Sequence, residues 1–264
     1  MREWLRDTHG PAFELVRHFL RRFFDSDLVA APGQMTAVLI GTVPVIFQWF
    51  FLLISPMRAK YGALSALATP GPYREAVLAD ELWLITLMMS IIGLLTAIKW
   101  QFLFPDLRDY RALAALPVRP RQIFGAKLTA LVLVAAAALV TINFLPSLGF
   151  PALSSGRWAI QPSVGLRVWA HAAASMAACS FLFFGLVALQ GVLLNLLRPR
   201  AFGRVTGYLQ GFLVAAMLSL IVLSFSIGPP ILSFVLRPEW ARLLPPMWFA
   251  GLYQSLSGDP DPAC

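Results

Sequence analysis

Five apolar blocks, each about as long as a membrane-crossing helix, dominate this sequence. They cover residues 35–54, 82–101, 123–145, 168–197 and 207–228, and a helix needs about 20 mainly apolar residues to cross a bilayer. Hydrophobic residues make up 58% of the chain and charged residues only 13%, with a mean hydropathy of +0.72; soluble domains carry about 25% charged residues. The blocks predict an all-α polytopic membrane bundle of about five transmembrane helices. They exclude a soluble enzyme, a disordered chain and a disulfide scaffold.

The first 30 residues are predicted to form a cytoplasmic amphipathic helix ahead of a single transmembrane domain, residues 31–264. Between positions 11 and 24, apolar side chains recur at helical spacing and arginines occupy other faces: Phe13, Val16, Leu20 and Phe23 against Arg17, Arg21 and Arg22. A helix of this kind lies in the headgroup plane of a membrane. The alternative is a helix that packs against its own chain.

The distribution of lysine and arginine predicts the orientation of the spans. With the N-terminus inside, the inner segments hold fourteen of these residues and the outer segments hold seven. The chain therefore has a cytoplasmic N-terminus and, after five spans, an outside C-terminus, as expected for a bacterial cytoplasmic (inner) membrane protein. The net charge of +8 then favours an anionic lipid bilayer as the partner, and no nucleic acid.

The chain after the fifth block is apolar but interrupted by prolines. Residues 229–257 contain Pro229, Pro230, Pro245 and Pro246, and irregular backbone at membrane depth is tolerated only against protein or a water-filled cavity. We predict an outer re-entrant or interfacial segment here. An odd number of spans followed by an apolar tail also favours a truncated or split gene product.

Catalytic and nucleotide-binding motifs are missing from the sequence. It contains no G-x-x-x-x-G-K-[ST] phosphate loop and no H-E-x-x-H, so the chain is predicted not to be an enzyme and to hold no metal or cofactor. All thirteen acidic residues fall outside the five blocks, which weakens a proton-coupled transporter, since intramembrane carboxylates mark proton relays. His171, near the start of the fourth block, is either a substrate or proton contact or an interfacial histidine bonded to a neighbour. Lys127 is predicted to snorkel towards the inner interface.

The loop between the second and third blocks, residues 104–122, is the most informative segment. Pro105 can occupy the first turn of a helix, and Asp106 and Asp109 follow where the helix dipole favours negative charge. Tyr110 and Leu113 begin an apolar stripe at a spacing of three. The pattern predicts a short amphipathic helix over 106–115, with a stiff proline exit into the third span. It suits either a mechanical contact with a soluble partner or a solvated connector.

This loop resembles the cytoplasmic loop of ABC-2-type exporter permeases. The matching run is Phe104-Pro105-Asp106-x-Arg108-Asp109-x-x-x-Leu113-x-x-Leu116-Pro117-Val118-x-Pro120-x-x-Ile123-Phe124-x-x-Lys127-Leu128. In that family an amphipathic helix precedes the first span, a coupling helix between spans two and three meets the ATPase subunit, and re-entrant helices follow span five. The order of segments in this chain is similar, and Pro245-Pro246-x-Trp248-Phe249-x-Gly251-Leu252 resembles the outer segment. The sixth span of the family is missing.

The resemblance implies a permease subunit of an ATP-driven exporter. ATP and Mg²⁺ would be held by a separate ABC-type ATPase, and a second permease copy or homologous half would complete the channel. The residues that would form the ATPase-facing surface are Asp106, Arg108, Asp109, Leu116, Pro117, Val118, Arg119 and Arg121.

Two other functions stay open. One is a non-catalytic membrane assembly or anchoring protein. The other is a lipid-modifying membrane enzyme, which would need a polar cluster near one interface; its acidic and basic candidates are Arg74, Asp80 and Glu81 outside and Asp106 and Asp109 inside. Lipid, polysaccharide, peptide, drug or ion would all be compatible with the sequence as an exporter's substrate.

Overall fold

Helices make up almost all of the described part of the chain. A computed structural model describes residues 12–21, 56–104, 119–159, 163–235 and 242–258, and contains no strand within those ranges. The seven helices there are α1 (12–21), α2 (56–65), α3 (Gly71–Ile98), α4 (Pro120–Leu153), α5 (Val164–Leu196), α6 (Pro199–Val235) and α7 (Pro245–Leu256). The predicted all-α fold class is confirmed.

Four of these helices are long and apolar enough to cross a membrane: α3, α4, α5 and Ala201–Ser226 of α6. The shortest of the four segments has 26 residues, about 39 Å at 1.5 Å per residue, against a hydrocarbon core of about 30 Å. The chain is therefore an integral membrane protein. The block at 35–54 lies outside the described residues.

The helices extend beyond the apolar blocks from which they were predicted. The third block was expected to end at Leu145, yet α4 continues through Pro146 and Pro151 to Leu153. The fifth was expected to break at residues 228–230, yet α6 continues to Val235. A proline removes one amide donor but keeps its carbonyl, and membrane helices tolerate this loss where neighbouring groups satisfy the freed carbonyl.

The chain divides into two compact units. The first comprises Met1–Ile46 and Lys99–Ala138, and the second comprises Phe47–Ile98 and Leu139–Cys264. In the first unit, Leu15 and Phe19 of α1 are buried against Ile123, Ala126 and Ala130 of α4.

The face of α1 that packs on α4 overlaps the predicted apolar stripe in part. Val16 and Leu20 of that stripe are partly buried against α4, Phe13 is 38% exposed, and Leu15 and Phe19 are the buried residues. The face of α1 centred on Leu15 packs against its own chain, as the alternative prediction for this helix expected. The small alanines of α4 allow this contact. A position of α1 in the headgroup plane stays a prediction.

In the second unit, α3 is the central helix and packs against α5, α6 and α7. Part of its core is formed by Leu82, Ile85 and Met89 together with Ala178 of α5 and Ala250 of α7. The small residue Gly93 allows the close approach of α6, because a Cβ there would lie 2.8 Å from the Met217 sulfur. The 12-residue α7 is about 18 Å long, too short to cross a membrane.

Candidate functional site

Two of the eight predicted partner-binding residues lie in the described part of the chain. Arg119 and Arg121 are exposed at the start of α4. The Arg119 amide donates a hydrogen bond to the Gln122 side-chain oxygen at 2.8 Å, as in a capping box, and Pro120 begins the helix. The other six residues, and the predicted helix over 106–115, lie outside the described residues.

The start of α4 is attached to α1 by a charged contact as well as an apolar one. The Lys127 ammonium lies 5.6 Å from the centre of the Phe19 ring, within the range of a cation–π interaction. Lys127 is half-buried. This contact orients its charged end towards α1, and the predicted snorkelling to the inner interface stays a prediction.

A second polar site, in the other unit, consists of charged side chains buried between helices. Its centre is a hydrogen-bonded pair, Glu81 of α3 and His171 of α5, neither of which has any solvent exposure. His171 Nδ1 lies 2.9 Å from Glu81 Oε1 and 2.8 Å from Oε2. The Phe150 and Tyr253 rings lie beside the imidazole, with centroids 5.4 Å and 6.2 Å away.

The neighbouring carboxylate, Asp80, is bound from α2. The Lys60 ammonium donates to both Asp80 oxygens at 2.7 and 2.9 Å, and the Tyr61 hydroxyl donates to Oδ2 at 2.7 Å. Burial, assisted by the negative charge of Asp80, raises the pKa of Tyr61 well above its ordinary value. The phenol therefore stays protonated and remains a donor to Asp80.

Arg167 fixes the turn between α4 and α5. It is 5% exposed and donates from Nη1 to the Ser154 carbonyl at 2.7 Å and from Nη2 to the Ser155 hydroxyl. The Tyr73 hydroxyl donates to the same Ser154 carbonyl at 2.6 Å and accepts from the Gly156 amide at 2.7 Å. The turn is thus bonded to both α3 and α5.

The short helix α7 closes one side of the cluster through Tyr253. Burial raises the pKa of Tyr253 well above its ordinary value, and the charge of Glu81 raises it further. The ring is 4% exposed and lies against His171. Its hydroxyl therefore remains neutral beside the Glu81–His171 pair.

These contacts overturn the prediction that every acidic residue lies outside the spans. Asp80 and Glu81 are inside α3, a candidate span that starts at Gly71. They were excluded because charges were taken to mark the end of an apolar block. The bundle instead buries both carboxylates, since each has a cationic or titratable partner on another helix.

His171 is bonded to a neighbour, as one of its two interpretations expected, but it is buried in the bundle. Its partner, Glu81, is 90 residues away in sequence, which no sequence spacing signals. The sequence did show that one histidine lies in an apolar block and that two acidic residues lie at the border of another.

The cluster contains a buried acid–base pair, since neither Glu81 nor His171 has any solvent exposure. Arg74, the other outer candidate, is exposed. Across the described ranges, no group of three or more His, Cys, Asp or Glu side chains is placed to hold a metal ion.

The fold and the buried ion cluster together define a polytopic α-helical membrane protein with charged groups inside the bundle. No family model, curated protein or solved structure matches the chain.

Proposed function

We propose that this chain is the membrane-spanning permease subunit of an ATP-driven exporter of the ABC-2 type in a bacterial cytoplasmic membrane. A separate ABC-type ATPase would bind and hydrolyse ATP and drive substrate outward. The proposal rests on the loop at 104–122 and on the order of segments along the chain. A cytoplasmic N-terminus and an outside C-terminus belong to the same proposal.

The observation that carries the proposal is the attachment of α1 to the start of α4. Leu15 and Phe19 pack on Ile123 and Ala126, within two turns of the exposed arginines that end the proposed coupling loop. Rigid helices with packed contacts carry mechanical coupling between sites. A force applied at Arg119 would therefore move α4 and α1 together.

Apolar side chains on α6 support the partners that the proposal requires. Tyr208 is 82% exposed and Phe212 69% exposed, on a segment of mean hydropathy 2.0. Exposed apolar surface on a spanning helix suits lipid or another spanning helix. A second permease copy or homologous half, beside the bilayer, would cover this surface.

Reversal of the two arginine charges is expected to abolish ATPase binding. We would purify the tagged chain in mild detergent, compare it with the Arg119→Glu, Arg121→Glu variant, and identify the bound proteins. The expected result is an ATP-binding subunit with the natural chain and at least about a tenfold loss in the variant, since like charges at an interface cost several kcal/mol.

The matched control is Arg198→Glu with Arg204→Glu. Both of these arginines are exposed, the charge change is the same, and the predicted orientation puts them on the same side. Equal loss in both variants, or no ATPase with any folded sample, would contradict the coupling role. An ATPase that binds but is not stimulated in proteoliposomes would favour the anchoring protein instead.

A further inference from the structure

A row of buried polar side chains lies between the second half of α4 and the first half of α5. On α5 these residues recur every fourth position, which places them on one face of the helix. On α4 they follow a similar spacing. The row, called the polar seam below, comprises Asn143 and Ser147 of α4, Ser154 just after the end of α4, and Arg167, His171, Ser175 and Cys179 of α5, all buried.

Contacts at both ends set the register of the seam. At one end the Asn143 amide lies 3.7 Å from the Cys179 sulfur, and at the other Arg167 binds the Ser154 carbonyl. The helices are therefore antiparallel here, which places Ser147 level with Ser175. From Arg167 to Cys179 the seam extends about 18 Å along α5, more than half of a hydrocarbon core of about 30 Å.

Four buried atoms of the seam lack a hydrogen-bond partner within the part of the chain that the structure describes. They are Asn143 Oδ1, Ser147 Oγ, Arg167 Nε and His171 Nε2. Buried polar atoms in native proteins bond to protein or to ordered water, because an unmade bond is costly. Pro151 adds to this shortage of hydrogen-bond partners, because it has no amide hydrogen to donate to the Ser147 carbonyl.

We propose that the polar seam holds a file of water molecules that delivers protons to the Glu81–His171 pair. Four unpartnered atoms in one row provide the polar contacts that internal waters need. A proton from the file would bond to His171 Nε2, and the Nδ1 proton would pass to the Glu81 carboxylate 2.8 Å away. An O–H bond of a protonated water breaks as the Nε2–H bond forms, and the Nδ1–H bond breaks as an O–H bond forms on Glu81, so charge and atoms balance.

The groups around His171 leave the cluster sensitive to one added proton. The titratable and charged side chains come from α2, α3, α5 and α7, and α4 contributes the neutral Phe150 ring. With His171 neutral, the carboxylates of Asp80 and Glu81 balance the positive charges of Lys60 and Arg167, and the net charge of the cluster is zero. A gained proton therefore changes the net charge of a buried cluster. These groups are Lys60, Tyr61, Tyr73, Asp80, Glu81, Arg167 and Tyr253. The inference does not require an ATPase partner.

Thiol accessibility in proteoliposomes tests the water file. In a Cys179→Ser, Cys264→Ser background, Ser147→Cys is compared with Leu148→Cys, the next residue. Ser147 is 6% exposed and Leu148 is 46% exposed on the apolar surface. We expect a small cationic methanethiosulfonate to modify Ser147→Cys at least about tenfold faster, because only a hydrated thiol forms the reactive thiolate.

A Ser147→Cys thiol that reacts no faster than Leu148→Cys overturns the water file. Size-exclusion chromatography checks that each variant is folded. If Ser147→Cys is misfolded, Ser175→Cys takes its place with the same control and the same decision.

Histidine NMR tests the delivery of protons. The chain has three histidines, so ¹⁵N-histidine labelling of the full chain in detergent gives three imidazole spin systems. His171 is assigned by its loss in His171→Asn, or by elimination with His9→Asn and His18→Asn if that variant misfolds. We expect the His171 ring nitrogens to shift with bulk pH. A His171 signal that does not respond to bulk pH overturns the proposal.

Discussion

Glu81→Ala is expected to lower the free energy of unfolding by about 3–5 kcal/mol, because loss of one partner leaves a buried ionisable group uncompensated. His171 has no solvent exposure and is bonded to both Glu81 oxygens, so Glu81→Ala removes its buried hydrogen-bond partner. The measurement is thermal or denaturant unfolding of the purified chain in detergent, followed by circular dichroism.

Glu75→Ala is the matched control for this prediction. Glu75 lies on the same helix but is exposed, and we expect an effect within about 0.5 kcal/mol. Glu81→Met combined with His171→Leu is expected to recover most of the lost stability, since apolar replacement of a whole buried pair is often neutral. A double variant less stable than Glu81→Ala would contradict the pairing.

Gly156→Ala is expected to destabilise the protein by about 1–3 kcal/mol through overpacking of the turn between α4 and α5. A Cβ at this position would lie 2.8 Å from Tyr73 Cε2 and 2.9 Å from the Tyr73 hydroxyl, and would collide with the Ser65 hydroxyl. Tyr73 cannot move aside easily, because it is 1% exposed and bonded to the Ser154 carbonyl. The same unfolding measurement applies.

Gly165→Ala provides the comparison for Gly156→Ala. A Cβ at Gly165 would meet only the Ser163 hydroxyl, at 3.9 Å, and alanine is the better helix former by about 1 kcal/mol. We expect this variant to be as stable as the natural chain or more stable. If Gly156→Ala is equally stable, the turn is not held tightly against Tyr73.

Much of the fold could be predicted because burial of apolar side chains in a membrane depends on local composition. The apolar blocks located the helices α3, α4, α5 and α6, and the helical spacing of apolar residues between positions 11 and 24 located α1. Boundaries were harder to predict. The third block was expected to end at residue 145 and the fifth to break at residues 228–230, yet both helices continue past these points.

The coupling loop and the buried cluster differ in how much of each could be predicted from the sequence. Arg119 and Arg121 were predicted from a local motif, and the structure describes them as exposed; their role as partner contacts stays a prediction. The Glu81–His171 pair was missed, because each residue by itself is compatible with a position at a membrane interface.

The sequence by itself determined that the chain is an α-helical membrane protein. The favourable free energy of transferring apolar residues into lipid is a sum over the residues of each block, so it depends on local composition alone. Only the tertiary structure decided that Asp80, Glu81, Arg167 and His171 meet inside the bundle. The electrostatic energy of a buried charge depends on the distance to its partner. That distance is set by the packing of helices far apart in the chain.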